Sequence, residues 1–315
     1  MCTALSYKNL DRYFGRNLDV IQGFDERIVI SPRRHVIPFR HKKEMEHHYS
    51  IIGMATVANG YPLFYDATNE CGLSMAGLNF PENAFYNEYN AKKDNIAPFE
   101  FIPWILCQCS RINEVKTLLG SLNLINTDFS NELSLTPLHW LISDTTHSIT
   151  VEAMREGLFV HDNQFEVLTN NPPFDFHKTN MSNYMSLHSG ASKNQFKESV
   201  HLQNYSLGMG ALGLPGDFSS ASRFIRAFFV KENSISEQDE NSSVNQFFHI
   251  LNSVAMPKGC VEVNGRFEYT LYSSCCNISK GIYYYTTYNN STINSVCMHD
   301  IDLEENKLFT YDLIK

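Results

Sequence analysis

A chain of 315 residues that is 43% hydrophobic and 19% charged can bury a full core and has neither a disordered nor a fibrous composition. Its formal net charge of −9 argues against a nucleic-acid partner, whose phosphates demand a basic face. No stretch approaches the roughly 18–20 apolar residues of a membrane span; the best run, near 99–106, is far too short.

The first hundred residues read as successive short strands at 3–7, 13–17, 27–31, 51–57, 63–67 and 73–78, rich in β-branched, aromatic and small apolar residues and separated by turn residues. A helical region follows at 99–107. After Ser110 comes a second helix, whose apolar residues Ile112, Val115, Leu118, Leu119 and Leu122 recur at three and four; Asn113 or Ser110 is its expected cap. Strands return at 137–143, 148–153 and 158–162, the last two as a hairpin through Glu156-Gly157. Another at 165–169 ends at the breaker Asn170-Asn171-Pro172-Pro173. Helices are expected at 180–187, 221–230 and 244–254, with a charged loop over 232–243, and strands at 267–272, 281–288 and 295–300. No repeat or low-complexity linker divides the chain, so one α+β domain over 1–315 is expected, built on two packed sheets or one large sheet covered by helices.

Eight cysteines at 2, 71, 107, 109, 260, 275, 276 and 297 are too few for a disulfide scaffold and lack metal-site spacing, so most are expected to fill core space. The basic stretch from Arg33 to Lys43, matched by Glu44 and Glu46, reads as a solvated surface segment. The amino terminus lacks a basic segment followed by an apolar one, so no secretory leader is expected.

A cysteine at position 2 taken alone reads as a small buried side chain starting a strand. Its chemistry is better than that. With Met1 removed, Cys2 carries its own α-amine, and an amine titrating at about 7.7–8 beside a thiol at about 8.5 is a nucleophile and a general base in one residue. Phe14-Gly15-Arg16-Asn17-Leu18-Asp19 follows at one hairpin's distance. Arg16 there would favour the thiolate, and Asp19 could orient the amine.

Segments along the whole chain resemble the choloylglycine hydrolase family (bile salt hydrolases and penicillin V acylases) of the N-terminal-nucleophile hydrolases. They are Met-Cys-Thr-Ala at 1–4, Tyr-Phe-Gly-Arg-Asn-Leu-Asp at 13–19, Gly-Leu-Ser-Met-Ala-Gly-Leu-Asn-Phe-Pro at 72–81 and Pro-Leu-His-Trp-Leu-Ile-Ser-Asp at 137–144. Val-Leu-Thr-Asn-Asn-Pro at 167–172, Leu-Gly-Leu-Pro-Gly-Asp at 212–217, Ser-Arg-Phe-Ile-Arg at 222–226 and Lys-Gly-Ile-Tyr-Tyr-Tyr at 280–285 continue the series in order. The resemblance implies a four-layer αββα sandwich of two antiparallel sheets flanked by helices. It implies no cofactor and no metal. It further implies Cys2 as nucleophile, with Arg16, Asp19, Asn79, Asn170 and Arg223 as the other catalytic residues; Asn171 is a close rival for Asn170 and Arg226 for Arg223.

The mechanism so implied is attack of the Cys2 thiolate on an amide carbonyl, with N–H donors from Asn170 and Asn79 on the oxyanion. The implied substrates are glycine- or taurine-conjugated bile salts. Asn79 matches the bile-salt branch, where penicillin V acylases usually carry tyrosine. Val20, Phe24, Ala58, Tyr65, Phe129 and Leu135 are candidates to line a wide apolar steroid pocket. A cytoplasmic bacterial homotetramer is the accompanying expectation. Rival chemistries find less support: Gly72-Leu-Ser-Met-Ala spoils the last glycine of a serine-hydrolase elbow, and His47, His48, His139 and His177 lack metalloprotease spacing. A silent binding protein of the same fold would be expected to lose Cys2 or the Arg-Asn-x-Asp cluster, and this chain keeps both.

Overall fold

A computed structural model describes residues 1–314. The chain opens with the paired strands β1 (Cys2–Lys8) and β2 (Arg12–Val20) and continues through β3 (Arg27–Ser31), β4 (Ile51–Ala58), β5 (Tyr61–Asn69) and β6 (Ser74–Asn79). A short β7 (Asp94–Ile96) precedes α1 (Phe101–Leu106) and α2 (Ile112–Leu119), and β8 (Leu122–Leu124) pairs with β7. Then come β9 (Leu138–Ser143), β10 (Ser148–Met154), β11 (Gly157–Asp162) and β12 (Val167–Leu168). Three helices follow, α3 (Phe174–Asn180), α4 (Ser220–Asn233) and α5 (Glu240–Asn252). The chain closes with β13 (Val261–Val263), β14 (Arg266–Asn277), β15 (Ile282–Thr287), β16 (Asn290–Cys297) and β17 (Phe309–Asp312).

Two large sheets result, with every ladder antiparallel. The first runs β12-β1-β2-β14-β15-β16, with β13 on β14; the second runs β11-β10-β9-β6-β5-β4-β3-β17. Strand alternation explains their stacking. Ile28, Ile30, Ile52, Met54, Ala76, Leu78 and Leu141 of the second sheet face the first sheet, in one core with Ala4, Leu5 and Phe14. Val29, Ile51, Met75, Trp140, Ile142, Ile149 and Val151 point the other way, into a second core with α1 and α2. Because both faces are covered, these strands read as near-continuous apolar runs. Phe224, Ile225, Phe247 and Leu251 of α4 and α5 close the outer face of the first sheet. The layers are helix, sheet, sheet, helix, which is the implied αββα sandwich. One glycine sets the fit: a Cβ on Gly15 would lie 1.9 Å from Ser274 O, so no larger residue lets β14 approach β2 there.

Several expected elements are shifted, for local reasons. The strand expected at 165–169 shrinks to Val167–Leu168, because Asn163 Oδ1 accepts the Phe165 and Glu166 N–H groups and turns the chain. The helix expected at 180–187 begins instead at Phe174, with Pro173 at its N-cap; the two prolines start a helix rather than end structure, and a short 3-10 turn replaces most of the expected one. The expected loop over 232–243 shortens to the residues between Asn233 and Glu240, since Asp239 caps α5 by accepting from Ser242 N at 2.9 Å. α2 is capped by neither Ser110 nor Asn113. Arg111 holds the N-cap position, and the Asp144 carboxylate accepts from Ile112 N at 2.9 Å. The hairpin turn is Arg155-Glu156, with Gly157 already in β11. The last expected strand is β16, and the segment Met298–Asp300 is a 3-10 turn. β7, β8, β13 and β17 lie outside the expected strands. Of the cysteines, 2, 107, 109, 275 and 276 are buried, whereas Cys71 and Cys260 are exposed. The basic segment is solvated as expected, with Arg33 paired to Glu70 and Glu304.

Candidate active site

Cys2 is the first residue of β1 and pairs with Leu18 of β2. The ladder runs one residue further, because Met1 N donates to Asp19 O at 2.7 Å and Asp19 N to Met1 O at 3.0 Å. Register therefore places the Asp19 carboxylate beside the terminus. Cys2 is 3% exposed, and its backbone N–H donates to Asn170 Oδ1 at 2.8 Å.

Asn170 follows β12, the strand on the other side of β1. Its N–H is fixed by Ser220 Oγ at 2.8 Å, its carbonyl by His177 Nε2 at 3.0 Å, and its Nδ2 donates to Asn79 O at 2.7 Å. Asn79, the last residue of β6, is thereby tied from the second sheet to a residue touching Cys2.

Arg223 reaches the same point from α4 and is fully buried. Its Nη1 donates to Cys2 O at 2.5 Å and Thr3 Oγ1 at 2.7 Å, its Nη2 to Asn170 Oδ1 at 2.8 Å and its Nε to Phe218 O at 3.0 Å. The rivals lie elsewhere. Asn171 Nδ2 donates to Pro81 O, and Arg226 turns to Ser253 O, Pro215 O and Asp217 O.

Arg16 projects from β2 between the sheets and donates through Nη1 to Tyr65 O at 3.0 Å and Gly77 O at 2.6 Å, while its buried Nη2 has no partner among the described residues. Burial alone would favour losing its proton, but Cys2, Tyr272, Asp66 and Asp19 together hold its guanidinium more firmly charged than usual. Arg223 goes the other way: burial lowers it, against the pull of Asp19, Cys2 and Glu268. Asp19 is pushed up by burial, against Arg223, the chain's amino terminus, Thr270 and Arg16. Thr270 Oγ1 donates to its Oδ1 at 2.6 Å; its buried Oδ2 has no partner among the described residues.

A cleft of about 390 Å³ opens beside this cluster, between Phe24, Thr56, Leu63, Tyr65, Phe99, Phe129, Leu135 and Leu138. Tyr65 and Gly77, whose carbonyls hold Arg16, also line it, which is its link to the polar cluster. Of the six expected lining residues, Phe24, Tyr65, Phe129 and Leu135 are in its wall. Val20 packs instead against the core between the sheets, and Ala58 pairs with Tyr61 at the far end of the β4–β5 hairpin.

Sequence reading missed the residues that support these side chains. Thr270 holds Asp19, and Thr3 shares Arg223. Asp66 on β5 accepts from Tyr272 at 2.7 Å, Tyr283 at 2.6 Å and Ser274 at 3.1 Å, a buried polar knot beside Arg16; burial pushes its carboxyl up. An aspartate inside the apolar strand Tyr-Pro-Leu-Phe-Tyr-Asp-Ala-Thr-Asn was the available signal.

A family model described as linear amide C–N hydrolases, choloylglycine hydrolase family, matches residues 2–311. The chain is 51% identical over 314 residues to a bile salt hydrolase/transferase of Lactiplantibacillus plantarum, covering 99% of this chain and 97% of the relative. It is 40% identical over 322 residues to a protein of the same description from Clostridium perfringens, covering 99% and 96%. A crystal structure of a mutant conjugated bile acid hydrolase from Clostridium perfringens superposes with a TM-score of 0.92 at 38% identity, covering 100% of this chain and 97% of that one. The penicillin V acylase of Agrobacterium tumefaciens shares the fold, with a TM-score of 0.76 at 18% identity over 99% and 91% of the two chains. The arrangement around Cys2 and these likenesses agree: the chain belongs to the choloylglycine hydrolase family of linear amide C–N hydrolases.

Proposed function

We propose that the protein hydrolyses the amide bond of glycine- or taurine-conjugated bile salts, with Cys2 as its nucleophile once Met1 is removed. The observation that carries this reading is the environment of the Cys2 nitrogen. It already donates one bond to Asn170 Oδ1, and the buried Asp19 Oδ2, without a partner among the described residues, belongs to the residue paired with Met1. Loss of Met1 turns that peptide nitrogen into an amine with donors enough for both. Bile salts as the acyl class are supported by the descriptions of the relatives at 51% and 40% identity and by the apolar cleft, whose lining includes Tyr65 and Gly77, the two residues that hold Arg16.

The neutral α-amine takes the thiol proton, and the thiolate, favoured by Arg16, attacks the amide carbonyl. Asn170 and Asn79 donate N–H groups to the oxyanion, each worth about 3 kcal/mol. The ammonium returns its proton to the leaving glycine or taurine nitrogen, and the C–N bond breaks to leave a thioester on Cys2. Water, deprotonated by the same amine, attacks the thioester and releases the bile acid. Arg223, bonded to both the Cys2 carbonyl and Asn170, keeps nucleophile and oxyanion donor in register.

The reading extends to one domain over the whole chain and to a cytoplasmic bacterial homotetramer. Met185, Phe196, Tyr205 and Leu207, each at least 82% exposed on the segment between α3 and α4, support an assembly that covers them. Intact mass for Met1, sedimentation velocity, and product assays on glyco- and tauro-conjugates and penicillin V test it, with Cys2→Ser as control. Full activity of Cys2→Ser would sink the mechanism, and faster turnover of penicillin V than of bile salts would reverse the substrate.

A further inference from the structure

β9 and β10 turn Leu141 into the core between the sheets, yet the same inward face carries His139 and Glu152, both fully buried. His139 Nδ1 lies 3.0 Å from Glu152 Oε1, and Nε2 lies 2.8 Å from Thr169 O. The ring stacks on Phe80, centroids 4.1 Å apart and planes 6° from parallel. Glu152 also accepts the N–H of Phe174, the first residue of α3, at 3.0 and 3.2 Å to its two oxygens. His161 Nε2 stands 3.7 Å from Glu152 Oε2 and is met on its outer side by Asp175 at 3.6 Å.

The protons of this pair follow from its neighbours. A carbonyl only accepts, so Nε2 carries a hydrogen for Thr169 O. The Nδ1–Oε1 contact must then hold a second proton, as imidazolium with carboxylate or imidazole with carboxylic acid. In either form His139 is held at both ring nitrogens and across its face. A buried polar pair adds little stability over well-packed apolar residues, so its contacts are the better clue to its role. Thr169 precedes Asn170. Phe80 follows Asn79. Phe174 begins the helix whose His177 meets the Asn170 carbonyl at 3.0 Å. Two of these contacts adjoin a site asparagine in the chain, and the third begins the helix that holds the Asn170 carbonyl.

We propose that Glu152 and His139 are positioning residues for the reaction. Glu152 orients the imidazole and the start of α3, the imidazole sets Thr169 and Phe80, and these fix Asn170 and Asn79 where the oxyanion forms. The inference rests on the reading under Proposed function, in which those two asparagines are the oxyanion donors.

Two substitutions in the full chain separate this role from a general structural one. Glu152→Gln keeps an acceptor for Phe174 N–H and a donor for His139 Nδ1. Glu152→Leu fills the space and removes both; His139→Gln, which keeps the Glu152–Phe174 bond, serves as well should the leucine variant not fold. For Glu152→Leu or His139→Gln the expected result is a fall in kcat of about 100-fold with KM within about threefold, the loss typical of a misplaced oxyanion donor. Alkylation of Cys2 by iodoacetamide should stay within about threefold of wild type, since it needs no oxyanion donor, and hydrogen exchange over 167–177 should quicken. Glu152→Gln should restore kcat to within about fivefold. Unchanged kcat, alkylation slowed as much as kcat, or unchanged exchange over 167–177 would each overturn the proposal. A wild-type protein that cleaves no amide would overturn the functional reading instead, and the exchange measurement would still decide whether the pair holds the asparagine segment.

Discussion

Thr270→Val is a nearly isosteric change that tests the electrostatics behind Cys2. Thr270 Oγ1 donates to Asp19 Oδ1 at 2.6 Å and accepts from Met256 N at 2.8 Å. Each lost bond has a different pH signature. The Met256 N–H is left unpaired at every pH, at about 1–3 kcal/mol. The bond to Asp19 stabilises the carboxylate, and hydrogen bonds to charged groups contribute about 1.5–3 kcal/mol, so its loss should raise the folded-state Asp19 pKa further. Asp19 is already raised by burial, so the folded chain binds this proton more tightly than the unfolded chain does. The stability it contributes is present in full below the unfolded pKa and is lost as pH rises through the folded one. The variant's higher folded pKa makes that loss larger. Its deficit against wild type should therefore be about 1–3 kcal/mol at acid pH and about 2.5–6 kcal/mol at pH 7. Urea denaturation from pH 4 to pH 8 measures it, with the acid limb of kcat/KM expected to move upward in pH. A deficit that stays constant across that range would refute the assignment of Thr270 to a charged Asp19.

Arg223→Met and Arg226→Met should part company. The first strips donors from Cys2 O, Thr3 and Asn170 and should cost about 2–4 kcal/mol in stability together with most of kcat, whereas the second loses only loop carbonyls and should keep kcat within about threefold. Equal kcat in the two variants would contradict the placement of Arg223. His177 is lowered to about 4 by burial, so its neutral form is the folded one; stability should fall by about 3 kcal/mol as pH drops from near 6.5 toward 4, where only the unfolded chain takes the proton. His177→Gln should remove that part of the acid sensitivity, and an undiminished fall in urea midpoint would count against it. Phe129→Ser, in the cleft wall, should raise KM for a conjugated bile salt about tenfold with kcat little changed, because the apolar wall it removes shields bound substrate and transition state alike. A fall in kcat without a change in KM would place the steroid elsewhere.

Much of the fold was legible because its period is local. The strands of the second sheet announce themselves as apolar runs, and both faces of Ile51, Ile52 and Met54 or Trp140, Leu141 and Ile142 prove to be covered. Errors fall where a partner distant in sequence overrides local propensity. Asp144 caps α2 from 32 residues away, and Glu152 receives the first N–H of α3 from 22 away, so each helix start depends on a partner beyond its own flanking residues. β14 outruns its expected end at 272, where Ser273 donates to Asn17 on the neighbouring strand and Ser274 to Asp66 on the other sheet.

The site divides along the same line. Cys2, Arg16 and Asp19 share one hairpin, so the ladder alone brings them together, and a reading of the first nineteen residues suffices to suspect them. Asn79, Asn170 and Arg223 lie on β6, after β12 and on α4; only the resemblance to a family picked them out, and it left Asn171 and Arg226 as rivals. The choice between those neighbours is made by burial and direction. Asn170 is buried against Ser220 and aims its amide at Cys2 and Asn79, while Asn171, one residue on, faces outward to Pro81. Arg223 and Arg226, three apart on α4, lie near the same helix face but at different heights, and a single turn takes the second away from the β1 terminus to the Ser253 carbonyl. Three residues along a helix move a side chain about 4.5 Å along its axis, more than a hydrogen bond can span. Motif order can thus nominate residues for a cluster, but only the packing of α4 on β1 decides which arginine reaches the thiol's own backbone.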